Sequence, residues 1–304
     1  MKIDIIRITT AIFFIGFLAG SVSDSLDAMS WPSDDSVLVR NFGANNNGRP
    51  VLGMIFEGGT AVLAAENGEI IFSRNKNDSV SRLPSPLGAW TAIDHGDGLI
   101  SIYSRYEESE PASYNTRSGQ LTHVEKNQII ANCGTSGWST KAGFYFLLFD
   151  RRERRWINPA MIITPIQEIR LPQIISVSLL NTQGQLVQSN NLSQGRYTIV
   201  VNASAGIPLS VPAAQASGQY APQRILCSIN GAEVGSLNFE SVSARDGIQM
   251  VSRNGLIPAR QVYANLQSYE AAEVFLSRGQ ITLEVIVQDI VGNSRNTVSR
   301  LTVN

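Results

Sequence analysis

Residues 89–106 read AWTAIDHGDGLISIYSRY, two stretches of mixed apolar and polar residues joined by His95-Gly96-Asp97-Gly98. The alternation in Leu99-Ile100-Ser101-Ile102-Tyr103 after Asp97-Gly98 predicts an antiparallel pair of strands closed by a glycine turn. Outward from this pair the same grammar continues. Ile70-Ile71-Phe72 follows Asn67-Gly68, and Phe144 to Phe149 is an apolar run of strand length. Short strands separated by Gly, Asn and Asp, with no helical period between them, imply an antiparallel sheet, because parallel pairing requires long crossovers. Arg74 to Leu87, ending in Pro84 and Pro86, and Glu107 to Gly119 read as loops.

Pro159, Pro165 and Pro172 mark a change of pattern. Beyond them strands are expected at Ile174 to Leu180, Gly195 to Asn202, Arg224 to Ile229, Ile281 to Gln288 and Thr297 to Val303. Asn230-Gly231 is a strong hairpin signal, and Asp289 to Asn293 supplies turn chemistry before the last strand. This pattern predicts an immunoglobulin-like β-sandwich over 168–304. The expected class is therefore all-β, with an antiparallel first domain over 30–165 followed by that sandwich.

Three separated blocks of the first domain resemble the LytM/lysostaphin-type zinc peptidoglycan endopeptidases. Ile93-Asp94-His95-Gly96, Gly98 and Tyr103 match the family's Asp-His-Gly turn and Tyr-x-His strand. Gly53 to Phe72 is similar to the His-x-Gly-x-Asp block with its Gly-Thr-x-Val-x-Ala continuation. Gly134 to Thr140 resembles the turn before the His-x-His strand, and Asn158-Pro159 resembles the family's closing Asn-Pro. The resemblance implies a LytM-type β domain, yet its chemistry is missing. The positions that would hold metal ligands fall on Val51 and Ile55, and the catalytic His position falls on Arg105. The His-x-His pair falls on Phe144 and Phe146, or one residue earlier on Gly143 and Tyr145; neither register contains a His.

A zinc hydrolase needs three protein donors and one open position for an activated water. The whole chain has two His, and His95 and His123 are read as solvated side chains rather than ligands. No cofactor is expected, and the domain is expected to be a pseudoenzyme whose former site has become core. A groove would remain, with Tyr103, Arg105, Trp138 and Trp90 as candidate binding residues. Arg151-Arg152-Glu153-Arg154-Arg155-Trp156 reads as a solvated hairpin tip.

The net charge of −1 argues against a nucleic-acid partner, which needs a strongly basic face. Lys2 and Arg7 precede the apolar run Ala11 to Gly20, which is too short to span a bilayer and has the length of a signal-peptide core. A signal peptide over 1–28 is expected, cleaved after Ser23 or Ala28, with export to the periplasm or cell envelope. Membrane association is expected only through that segment before cleavage. Cys133 and Cys227 are read as two separate thiols, with an interdomain disulfide as the alternative.

The expected function is an exported, non-catalytic envelope protein that binds peptidoglycan or regulates a cell-wall hydrolase or another envelope protein. The alternatives are a zinc endopeptidase that cleaves peptidoglycan cross-links and a structural surface or adhesion spacer.

Overall fold

The computed structural model describes residues 28–74, 84–108, 123–163, 170–187, 189–205, 220–265 and 268–304. The expected signal peptide lies outside the described residues, as does most of the two expected loops. Arg74 corrects the first loop boundary. It is the buried last residue of strand Gly68–Arg74, and its guanidinium donates to the Gly88 carbonyl at 3.5 Å.

The all-β class holds. In the first half the strand Gly143–Asp150 is central, with Gly53–Glu57 on one side and Leu99–Tyr106 on the other, all antiparallel. Ala89–Asp94 and Gly68–Arg74 continue the sheet. Side chains alternate between faces along a strand, so each register pair assigns both residues to the same face. One face carries Met54, Phe56, Ile70, Ile93, Tyr103, Phe144, Phe146 and Leu148, which form one buried core. The opposite face carries Tyr145 and Leu147, which pack with Ala44 and Val51 in a second, smaller cluster. Gly53 lies where two strands meet closely; a Cβ there would stand 2.1 Å from the Phe146 carbonyl oxygen.

In the second half the predicted strands appear as Gln173–Leu180, Gly195–Ser204, Arg224–Ile229, Gly279–Gln288 and Ser294–Val303. The turn at Asn230-Gly231 has positive φ at both residues (50° and 81°), the geometry of a two-residue hairpin. Further strands include Ala232–Arg245, Ile248–Arg253 and Ser268–Leu276. Leu179, Ile199 and Val201 from one sheet pack with Ile225, Leu237 and Val285 from another around a single core.

The two halves are joined by more than a linker. Arg155–Ile157 pairs antiparallel with Ser241–Val242–Ser243, within the 14-residue strand Ala232–Arg245, so one sheet runs through both. Phe42, from the first half, is buried in the core of the second, while Ala205 and Tyr220 are buried in the core of the first. Asn41 exchanges hydrogen bonds with both backbone groups of Ala221, each 2.8 Å long. Tyr263 donates to the Gly43 carbonyl, and Asn45 donates to the Asn265 carbonyl, both at 2.8 Å. Asn158 is buried and ties the seam, its backbone N–H reaching Glu240 O and its side-chain amide reaching Phe239 O.

Both cysteines are free; Cys227 is buried in the second core, and Cys133 is 3.6 Å from the Ser36 hydroxyl.

Candidate functional site

The positions that the sequence marks as a former metal centre converge on the smaller cluster. Ile55 stands opposite Tyr145 in register, Val51 and Tyr145 share one packed group, and Ile55 lies against it. This corrects the assignment of Phe144 and Phe146 to the site. Both point into the main core, Phe144 stacked on Phe56 at 4.7 Å and Phe146 against Tyr103 at 5.1 Å. The alternative register, Gly143 and Tyr145, is the one on the site face.

Tyr145 is almost fully buried. Its hydroxyl accepts the Leu52 N–H at 2.9 Å, and burial pushes its pKa up to about 12. The phenol is therefore neutral and committed to the backbone that leads into Gly53–Glu57.

Tyr103 is also corrected. It has no exposed surface, lies on the core face, and accepts the Ala65 N–H through its hydroxyl at 2.8 Å. It secures the bend at Ala65 between the strands Ala61–Leu63 and Gly68–Arg74 and has no exposed surface to offer a ligand.

Arg105 reaches the site by a backbone irregularity. Ala89 pairs with Tyr106 and Trp90 with Ser104, so Arg105 is an extra residue in a β-bulge. Its φ is +66°, and its N–H turns away to the Leu87 carbonyl at 2.8 Å. Strict alternation would place Arg105 on the same face as Tyr103, but a bulge re-aims the side chain. The guanidinium lies 5.0 Å from the Tyr145 ring centroid, within the range of a cation–π contact. Its Nε is buried without a hydrogen-bond partner, and burial holds its pKa below the ordinary arginine value.

Trp90 shares the site face, opposite Ser104, and stacks on Phe72 at 4.3 Å. Trp138 is 75% exposed on the turn between Gly134 and Thr140. Its N–H donates to the Pro86 carbonyl, adjacent to the Leu87 carbonyl that takes the Arg105 N–H. Gly137 makes this approach possible: its φ is +58°, and a Cβ there would lie 2.4 Å from the Gly88 nitrogen. Arg105 and Trp90 are thus brought to the Tyr145 face of the first domain, the backbone of Trp138 is tied to the adjoining Pro86, and Tyr103 lies on the opposite face.

His95 differs from the expected solvated residue. Its Nδ1 donates to the Asn67 carbonyl and its Nε2 accepts from the buried Ser101 hydroxyl, both at 2.7 Å. A carbonyl can only accept, which fixes the tautomer. Burial lowers the pKa of the ring, which staples the turn after Ala64 to the hairpin at the opening sequence. His123 is exposed on the short strand His123–Val124.

The basic cluster is a turn beyond Gly143–Asp150. Arg151 is 3.4 Å from Asp94 and Arg155 is 3.8 Å from Asp150, in each pair an exposed arginine on a half-buried carboxylate. Trp156, in contrast, packs against the cores of both halves, a role that its position beside four arginines concealed.

Residues 52–159 match the model of Peptidase family M23, and a second family model matches residues 171–304. The chain is 27% identical over 143 residues to an uncharacterized protein of Treponema pallidum (strain Nichols), covering 44% of this chain and 95% of that protein. A mutant catalytic domain of the prophage-encoded M23 protein EnpA from Enterococcus faecalis is similar over 43% of this chain and 94% of its own. The identity there is 19% and the TM-score 0.34. Lysostaphin in solution is similar over 82% of this chain and 99% of its own, with 16% identity and a TM-score of 0.33.

Zinc, which that family implies, does not fit the residues present. Val51 and Ile55 carry no lone pair, the Tyr145 phenol is held neutral by burial, and Arg105 is a cation. Among the described residues no group of three or more His, Cys, Asp or Glu side chains gathers to hold a metal.

Proposed function

We propose that the protein is an exported, non-catalytic component of the cell envelope, and that its M23-type domain serves as a binding module for peptidoglycan or for a cell-wall hydrolase. One observation supports this reading: the residues at which the family resemblance would place zinc ligands, Val51 and Ile55, pack together with Tyr145. Buried donors without a metal are costly, and apolar replacements remove that cost while leaving the surrounding strands in place. The exposed Trp138 and the Arg105 side chain supply recognition chemistry, and their backbones are held by the adjacent carbonyls of Pro86 and Leu87. Export rests on Lys2, Arg7 and the apolar run from Ala11 to Gly20.

The test is capture on purified wall sacculi and on envelope extract, with release of soluble wall fragments measured in parallel. Saturable binding to sacculi, or recovery of a wall hydrolase, without fragment release is the expected result. Release of fragments by the protein alone, or absence of both kinds of binding, overturns the reading.

A further inference from the structure

Arg105 combines three features that the packing of the domain does not require. It is the unpaired residue of a bulge, its φ of +66° is a conformation that a long side chain adopts only at a cost, and its Nε is buried without a partner. A residue that served only to fill space would need none of these.

Its charge is also uncompensated within the described part of the chain. Arg151, Arg155, Arg224 and Arg253 each lie within 4 Å of a carboxylate, and no described carboxylate stands at that distance from Arg105. What meets it is the face of the Tyr145 ring, a weak partner for a half-buried cation. Half-buried charges are normally paired, so the arrangement has room for an anion in its electrostatics.

We propose that Arg105 anchors a carboxylate-binding site on the face of the first domain that carries Tyr145, and that its ligand is a peptide with a free carboxylate. This inference rests on the binding-module reading above. Burial, which holds the guanidinium pKa below its ordinary value, adds to the demand for a counter-charge. A planar carboxylate matches a single planar guanidinium fork. Arg74 is buried and engaged at the Gly88 carbonyl, which leaves Arg105 as the guanidinium assigned to the ligand among these two described arginines. The backbone of Trp138 is tied to Pro86 as that of Arg105 is tied to Leu87, and its exposed ring is assigned to the body of the peptide.

The experiment is an NMR titration of the exported protein, observing the Arg105 Nε–H and Trp138 indole signals. The probes are acetyl-Ala-Ala with a free carboxylate, the same peptide as its C-terminal amide, and inorganic phosphate. The free acid is expected to move both signals saturably and to bind about tenfold more tightly than the amide. In Arg105→Gln that preference is expected to disappear; if the variant does not fold, the acid–amide comparison on the wild type decides alone. Equal response to acid and amide, or response to phosphate only, overturns the proposal. If sacculi are captured without any preference for acid over amide, this site fails and the binding-module reading stands. If the acid preference is seen while sacculi and hydrolases are ignored, the site stands and that reading fails.

Discussion

Ile55 and Tyr145 face one another across neighbouring antiparallel strands, the first an aliphatic side chain and the second a buried phenol whose hydroxyl holds the Leu52 N–H. Cross-strand partners of this kind have Cβ atoms about 4.5–5.5 Å apart, a separation at which two donors can share one metal ion. Neither an isoleucine nor a phenol held neutral by burial offers the His nitrogen or carboxylate oxygen that zinc normally takes.

The combined substitution Val51→His, Ile55→Asp and Tyr145→His is therefore expected to create zinc binding that the wild-type protein lacks. Without metal the variant should be less stable, because polar groups have replaced packed ones. Zinc at a hundredfold excess over its Kd should return about 2.7 kcal/mol. Thermal unfolding with and without zinc, together with elemental analysis, checks this; a wild-type protein that itself carries one zinc per chain would refute the underlying argument.

Tyr145→Phe keeps the ring and removes the hydroxyl that accepts the Leu52 N–H. An amide left without its partner in a buried setting costs about 1–3 kcal/mol. Urea unfolding should show a lower midpoint with an unchanged slope, and an unchanged midpoint would mean that water reaches Leu52.

Phe42→Ala tests the union of the two halves. The ring belongs to the first half and is buried in the core of the second, so its removal should cost about 3–5 kcal/mol. Because the sheet is continuous through Arg155–Ile157 and Ser241–Ser243, the wild type should unfold in one calorimetric transition. Two well-separated transitions, with only one shifted by Phe42→Ala, would show the halves to be energetically independent.

His95 predicts a pH dependence. Burial lowers its folded-state pKa below 6.5, so between the folded value and 6.5 the unfolded chain binds more protons. Stability should then fall as pH drops through 6.5 and level off once the folded protein is also protonated. His95→Gln should flatten this part of the profile in chemical denaturation; an unaltered slope would assign the effect to other groups.

The strands of the first half were legible because each is short, alternating and bounded by Gly, Asn or Asp, as at Asp97-Gly98 and Asn67-Gly68. The long strand Ala232–Arg245 was harder to see. Its interior alternates Gly235, Leu237 and Phe239 inward, but the pattern breaks before Val242, where the pairing irregularity lies. Of the candidate binding residues, Arg105 and Trp90 fall on the Tyr145 face and Trp138 is exposed on a turn, while Tyr103 is core. The bulge that separates Arg105 from Tyr103 has no signature in Tyr103-Ser104-Arg105-Tyr106 itself, since it depends on where Ala89 and Trp90 pair.

The sequence by itself determined the β class, the hairpin at Asn230-Gly231 and the absence of metal-binding residues at Val51 and Ile55, because these depend on local turn chemistry and on side-chain donor atoms. Only the tertiary structure decided that Tyr145, and not Phe144 or Phe146, shares a face with Ile55 and packs with Val51. Residues 143–148 are buried on both faces, so no polar alternation marks one side as inner, and the choice falls to the pairing of Tyr145 with Ile55. The seam between the halves has the same origin. Whether Arg155–Ile157 continues a sheet into Ala232–Arg245 depends on two segments far apart in the chain meeting in register, and Phe42 finds its core only after they have met.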